Sequence, residues 1–271
     1  MRTPGGTIRR GRTALTLLPA VAVVAALAAG AVLAPQRRPG GVDVPFARPS
    51  REAPLGTDHL GQDVVEHLIS GGWGLLTVAA VIAVAVTACA AVLGATAALR
   101  PRLGFLLGRA TDVLMLVPPI LAILLVMLSW PGSGTLGLVM VAIVIGTPYS
   151  ARVFAAAAAS IAASGYVEVA VASGESLPYL LGREVLPNLR PTVLAQLGLR
   201  FVEAIYLVST AAFLQLPASL GESNWAIMVR DNSSGIMLNP WAVIAPATAI
   251  AMVSIGVAFT TRTLGTRKVT R

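Results

Sequence analysis

Six apolar runs constrain this chain more than any other feature: they lie near residues 13–34, 73–98, 111–130, 135–154, 192–214 and 241–261. A helix needs about 20 apolar residues to cross a hydrocarbon core of about 30 Å, and each run meets or nearly meets that length. A soluble core has no room for all of them. Of the 271 residues, 56% are hydrophobic and only 12% charged, about half the charged fraction of an ordinary soluble domain. Mean hydropathy is +0.79. Lipid offers no water to a bare backbone, so the spanning segments must satisfy their own hydrogen bonds as helices. The expectation is an all-α membrane protein with six transmembrane helices. Ala, Val, Leu and Gly dominate, and small residues let such helices approach closely.

The formal net charge is +8. A basic chain suggests nucleic acid, but here the arginines gather at the ends of apolar runs, where they set orientation. With the N-terminus inside, Arg2, Arg9, Arg10, Arg12, Arg100, Arg102, Arg109, Arg152, Arg183, Arg190, Arg262, Arg267, Lys268 and Arg271 fall on the inner side. Arg37, Arg38, Arg48, Arg51 and Arg230 fall outside. The bias is about three to one for both termini in the cytoplasm, with no nucleic-acid partner. The chain then divides into a cytoplasmic tail (1–12), a first span (13–34), an outer loop (35–72), a five-helix core (73–261) that includes an inner loop (155–191), and a second tail (262–271). The first run also has the make-up of a secretory signal, with Arg9, Arg10 and Arg12 ahead of it. At about 22 residues it is long for a signal core, and it is read as a retained helix. The one cysteine, Cys89, sits inside an apolar run and forms no internal disulfide.

Two loops carry more than linkage. In the outer loop, Thr57 or Asp58 is expected to cap a short helix through Leu68 and Ile69, with Gly71-Gly72 turning the chain into the second span. His59, Asp63 and His67 stand four apart there and would share a helix face, which is a transition-metal spacing. Gly61 interrupts that helix, so no metal site is assigned. Pro118-Pro119 in the middle of the third span removes backbone donors and kinks the helix. Such a break either lines a pathway or serves packing. Glu203 in the fifth span is a costly intramembrane acid. It either faces substrate or pairs with Arg200, three residues earlier on the same helix.

The inner loop begins as an Ala-rich helix former and holds Glu168. Gly174 ends or bends that helix. Ser176 is expected to cap a second short helix, with Pro178 in its first turn and Leu180 and Leu181 within it. Pro187 stops it. A helix, a glycine turn and a second helix on the cytoplasmic side need a cover, either lipid headgroups or a groove in a partner.

These residues carry a resemblance. Glu168, Ala170, Gly174, Leu186 and Pro187 have the spacing of the cytoplasmic motif of ABC importer permeases, with Val169 replacing one alanine. Glu184 stands where an apolar residue or histidine is common. The wider chain, from about residue 14 to 261, resembles the second permease subunit of the dipeptide, oligopeptide and nickel importer family. Leu55-Gly56-Thr57-Asp58, Leu60-Gly61 and Asp63-Val64 match that family's outer-loop block, with Gln62 in place of its usual arginine. Pro118, Pro148, Arg152 and Asn239-Pro240-Trp241 also fall in step. In the fifth span Val208 stands where the family often has a glutamate.

The resemblance implies half of a translocation pathway in a bacterial plasma (inner) membrane, for peptides, nickel or related small solutes. It also implies a second homologous permease, two cytoplasmic ABC ATPases and an extracytoplasmic solute-binding protein as partners. Glu168, Ala170, Gly174, Leu180, Leu181, Leu186 and Pro187 would make up the ATPase-coupling hairpin, and Pro118, Pro119 and Glu203 are pathway candidates. Glu222, Arg230 and Asp231 are outer contact candidates.

No phosphate loop of the Gly-x-x-x-x-Gly-Lys-Ser/Thr kind occurs, and the one lysine is Lys268. ATP hydrolysis, if used, belongs to separate subunits. Both histidines lie in one outer segment without a nucleophile elbow, so no catalytic set and no cofactor are assigned. Two other function classes fit a polytopic chain. An ion-gradient-driven secondary transporter would need intramembrane ionisable groups, and the spans offer only Asp112 and Glu203. A non-transporting scaffold would lack the importer's partners.

Overall fold

The computed structural model describes residues 44–216 and 224–266. The expected first span at 13–34, the tail 1–12 and Glu222 lie outside the described residues. Among those described, all regular structure is helical. The helices are α1 (Val64–Leu99), α2 (Pro101–Leu114), α3 (Pro119–Ser129), α4 (Gly134–Ala162), α5 (Gly165–Ala172), α6 (Leu177–Tyr179, continued by a π-helical turn Leu180–Val185), α7 (Arg190–Phe213), α8 (Trp225–Asn232) and α9 (Trp241–Thr266). Four of them, α1, α4, α7 and α9, are long and apolar enough to cross a membrane. The pair α2 and α3 makes a fifth crossing if taken as one broken span, bent by 81°.

Three boundaries differ from the sequence reading, each for a local reason. α1 starts at Val64 and runs straight through Gly71-Gly72, where a turn is expected from sequence. A β-carbon on Gly72 would overlap the Trp225 indole, so that glycine makes room for a ring and does not break the helix. The start belongs to Asp63, whose Oδ1 accepts from the Val65 N–H at 2.8 Å; Thr57 and Asp58 do not cap it. α4 continues past 154 to Ala162, because Ala155 to Ala159 are the strongest of helix formers. The expected inner loop therefore opens as an extension of a span. The run 111–130 is not one helix. Pro118 and Pro119 carry no N–H, and the residue before a proline avoids the α-region, so the chain leaves α2 at Leu114 and starts again at Pro119.

The described residues group into two units. One comprises residues 44–79, 205–216 and 224–260, with a block around residues 55–58 whose polar groups are buried and paired. Asp58, 1% exposed, takes the backbone N–H groups of Leu60 and Gln62 on Oδ1, each at 2.8 Å, and His67 Nδ1 on Oδ2 at 3.0 Å. Burial pushes its carboxyl pKa up, but the His67 and backbone hydrogen bonds together hold it below the ordinary carboxylate value. Asn239 donates to the carbonyls of Leu55 and Thr57, both at 2.9 Å. Asn232 Oδ1 accepts from the His59 N–H at 2.8 Å, and the Trp225 indole N–H donates to the Leu68 carbonyl at 2.7 Å. The motif Leu55-Gly56-Thr57-Asp58 thus works as a knot that fastens the outer loop to α1, α8 and the start of α9.

The other unit comprises residues 80–204 and 261–266. Its core is Ala90, Ala91, Ala95, Ala151, Phe154, Ala158, Val185 and Leu189. The helices α1 and α4 meet there so closely that a β-carbon on Gly94 would overlap the Ala151 carbonyl oxygen and the Phe154 Cβ. Small residues at a membrane helix contact give this approach.

Candidate coupling site

The hairpin at 165–187 is built on that second unit. α5 ends in a Schellman turn: the Glu175 N–H reaches back to the Ala170 carbonyl at 3.2 Å, and the Gly174 N–H to the Val171 carbonyl at 3.1 Å. The turn places Gly174 at φ +81°, in left-handed space that only glycine enters freely. Ser176 then occupies the capping position of α6, extended at φ −72° and ψ 151°, but its side chain makes no capping bond. Pro178 sits in the first turn, as expected. After Tyr179 the helix widens into a π-turn, with the Leu186 N–H bonding to the Leu181 carbonyl at 2.9 Å.

The widening rotates apolar residues inward. Val185 and Leu189 are 0% and 1% exposed within the core, and Leu181 and Leu186 pack against it. Leu180 is also buried. Of the leucines expected at the ATPase contact, Leu181 and Leu186 are half-buried against this core. Glu168 and Gly174 are exposed, while Ala170 and Pro187 are half-buried. The outward apolar residues are ones the motif does not name: Val169 at 66% and Val171 at 53% exposure, with Tyr166 beside them. Asn188, just after the second arm, donates to Tyr166 Oη at 3.2 Å and to the Glu184 carbonyl at 2.7 Å, which ties the arms together. Val185 and Leu189 were open to the sequence reading through their four-residue spacing; the π-turn that orients them leaves no such signature.

The pathway candidates separate. Glu203 pairs with Arg200 one turn earlier, and the Arg200 side chain is 7% exposed and lies 5.5 Å from the Tyr149 ring centre. Pro118 and Pro119 form the break between α2 and α3. In the first unit, a cavity of about 380 Å³ is lined by Tyr206, Thr210 and Phe213 of α7, Val229 of α8, and Ala247 and Ile250 of α9. Its lining is nearly all apolar, and sequence reading did not identify it. His59, Asp63 and His67 are engaged separately: His67 with Asp58, Asp63 as the cap of α1, and His59 by its backbone with Asn232. Among the described residues no group of three metal-ligating side chains is brought together. Arg230 pairs with Asp231 at 2.6 Å and stays within its own unit.

The model of the binding-protein-dependent transport system inner membrane component matches residues 90–268, which contain the whole hairpin. The chain belongs to that family. This permease is similar to the peptide transport system permease protein SapC of Escherichia coli, 31% identical over 207 residues that cover 74% of this chain and 68% of SapC. It is similar to the probable peptide ABC transporter permease protein y4tQ of Sinorhizobium fredii, 29% identical over 218 residues, 79% of this chain and 74% of y4tQ. A putative peptide transport system permease protein of Brucella suis is 28% identical over 254 residues, 92% of this chain and 83% of the relative. The permease is therefore a multi-pass inner-membrane transport component, and its relatives are named as permeases rather than enzymes.

Proposed function

We propose that this permease forms half of the translocation pathway of an ATP-driven peptide importer, beside a second homologous permease, and that it couples to one of two cytoplasmic ATPases through the hairpin at 165–187. A separate extracytoplasmic solute-binding protein delivers substrate to the outer loops. Peptides are favoured over nickel because the similar proteins carry peptide names. Both termini lie in the cytoplasm, with a first span at 13–34 completing six.

The observation that supports this reading best is the anchoring of the hairpin. Val185, Leu189, Leu181 and Leu186 fix its second arm to α1 and α4, while Glu168, Val169 and Val171 project from its first arm. A rigid element with one face rooted among the spans and the other free is a lever. ATP-driven closure of the ATPases would push it, and the spans would tip between inward- and outward-facing states.

The test is copurification followed by transport. The tagged permease should bring down two ATPases and a second permease, and ATP-dependent peptide uptake in proteoliposomes should vanish in Glu168→Lys while membrane insertion is kept. Uptake that persists without the ATPases and collapses with an ionophore would overturn the reading in favour of a gradient-driven carrier.

A further inference from the structure

The helix α2 is set at an angle to the rest of the third span. It makes an 81° bend with α3, and three faces can be read around it. Gly104, Gly108 and Thr111 recur at helical spacing and form the docked face: a β-carbon on Gly104 would sit 3.2 Å from the Ala97 carbonyl oxygen, Arg152 donates to the Gly108 carbonyl at 2.9 Å, and Thr111 donates to the Pro148 carbonyl at 3.1 Å. Leu103, Leu106, Ala110 and Val113 form a second stripe, and all are exposed, Leu106 at 60% and Val113 at 64%. Arg102 and Arg109 border that stripe, with Arg100 just before the helix, and all three are exposed. Arg109 lies over the Phe105 ring at 5.2 Å. The nearby acid, Asp112, is already paired with Arg152 at 2.8 Å, so the three arginines face no acidic side chain among the described residues.

Depth follows from α4. Pro148 and Arg152, which hold α2, lie 14 and 18 residues into a helix that starts at Gly134, or about 21 and 27 Å along it. The hydrocarbon core is about 30 Å thick. α2 therefore crosses α4 close to the border where hydrocarbon gives way to headgroups. A short helix there, with an apolar stripe beside a row of arginines and little buried surface of its own, has the make-up of an interfacial helix.

We propose that α2 lies in the membrane interface and binds anionic phospholipid headgroups through Arg100, Arg102 and Arg109, while Leu103, Leu106 and Val113 enter the acyl chains of the same leaflet. On the orientation proposed above, that leaflet is the inner one. Charge selects the occupant: three exposed arginines next to an apolar stripe match a phosphate layer over acyl chains, and an anionic headgroup offers them a net negative charge that a zwitterionic one cancels with its own ammonium. The helix would then hold the entry of the broken third span at a fixed depth.

The test uses the full chain reconstituted with its partners. With phosphatidylglycerol in both leaflets, the result does not depend on sidedness or on transport, so its failure is separable from failure of the importer reading. Spin-labelled phosphatidylglycerol and phosphatidylcholine report the lipid held at the protein surface. Wild type should prefer phosphatidylglycerol, and the triple variant Arg100→Gln/Arg102→Gln/Arg109→Gln should lose at least roughly threefold of that preference. The triple Arg→Lys variant should keep it. A nitroxide on Val113→Cys, in a Cys89→Ala background, should be relaxed by dissolved oxygen and shielded from a water-soluble nickel chelate. Unchanged preference in the glutamine variant, or a Val113 label shielded from both agents because a protein partner covers it, would overturn the proposal.

Discussion

Replacing Gly174 isolates the geometry of the hairpin turn from every contact around it. The residue sits at φ +81°, and a β-carbon added there meets nothing within 4 Å. Gly174→Ala therefore costs only the left-handed penalty of an L-residue, about 1–2 kcal/mol, or roughly 5- to 30-fold in the opening of the turn. Asn tolerates this conformation far better and should lie close to wild type. Val, branched at Cβ, should be worse than Ala. The direct readout is hydrogen exchange at the Gly174 and Glu175 amides, which bond to Val171 and Ala170 at 3.1 and 3.2 Å. Exchange should speed up in the order Asn, Ala, Val. Uptake in the reconstituted transporter should fall in the same order if a stiff turn is what transmits force. A Gly174→Asn permease as impaired as Gly174→Ala, or a Gly174→Val permease with normal exchange, would refute the assignment of strain to this turn.

Three further predictions concern the two units. Asp58→Ala leaves the Leu60 and Gln62 amides without their acceptor and should lower stability by about 2–3 kcal/mol, read as earlier thermal unfolding in detergent. Because the folded Asp58 carboxyl is held below its ordinary value, its share of stability is complete above the unfolded carboxylate range and disappears as pH falls through the folded value. Unfolding temperature should therefore drop more steeply with acid in wild type than in Asp58→Asn. Gly94→Leu drives a side chain into the Ala151 carbonyl and Phe154 and should cost at least about 1–3 kcal/mol, whereas Gly132→Ala, with open space around it, should be neutral by the same assay. Glu203→Gln uncovers the buried Arg200 charge and should destabilise, while a double change to Arg200→Met and Glu203→Leu should recover most of the loss.

The long helices were legible because lipid imposes one rule on every spanning segment: α7 and α9 cover the apolar runs at 192–214 and 241–261 almost unchanged. Gly174 was legible for a similar reason, since a glycine between two helix formers has few other uses. The misreadings share a cause as well. Gly71-Gly72 looks like a turn unless the Trp225 ring, more than 150 residues away, is known to lie against Gly72. The run 111–130 looks continuous because hydropathy averages across the proline break and merges the end of one helix with the next. The four-residue spacing of His59, Asp63 and His67 did not show that an Asp63 oxygen is taken by the Val65 amide at the start of α1. The π-turn at Leu180–Val185 lay beyond sequence reading, since no periodicity announces it.

The Asn239 knot also sets a clock. Asn239 closes on Leu55 and Thr57 across 184 and 182 residues, and a ribosome adding about 5–20 residues per second needs roughly 10–40 s to make that stretch. During that interval the carbonyls of Leu55 and Thr57 must wait in water for a donor that has not yet been made. The knot can be tied only after Asn239, two residues ahead of the last described helix, has been made. A chain truncated before Asn239 would leave the carbonyls of Leu55 and Thr57 without that donor.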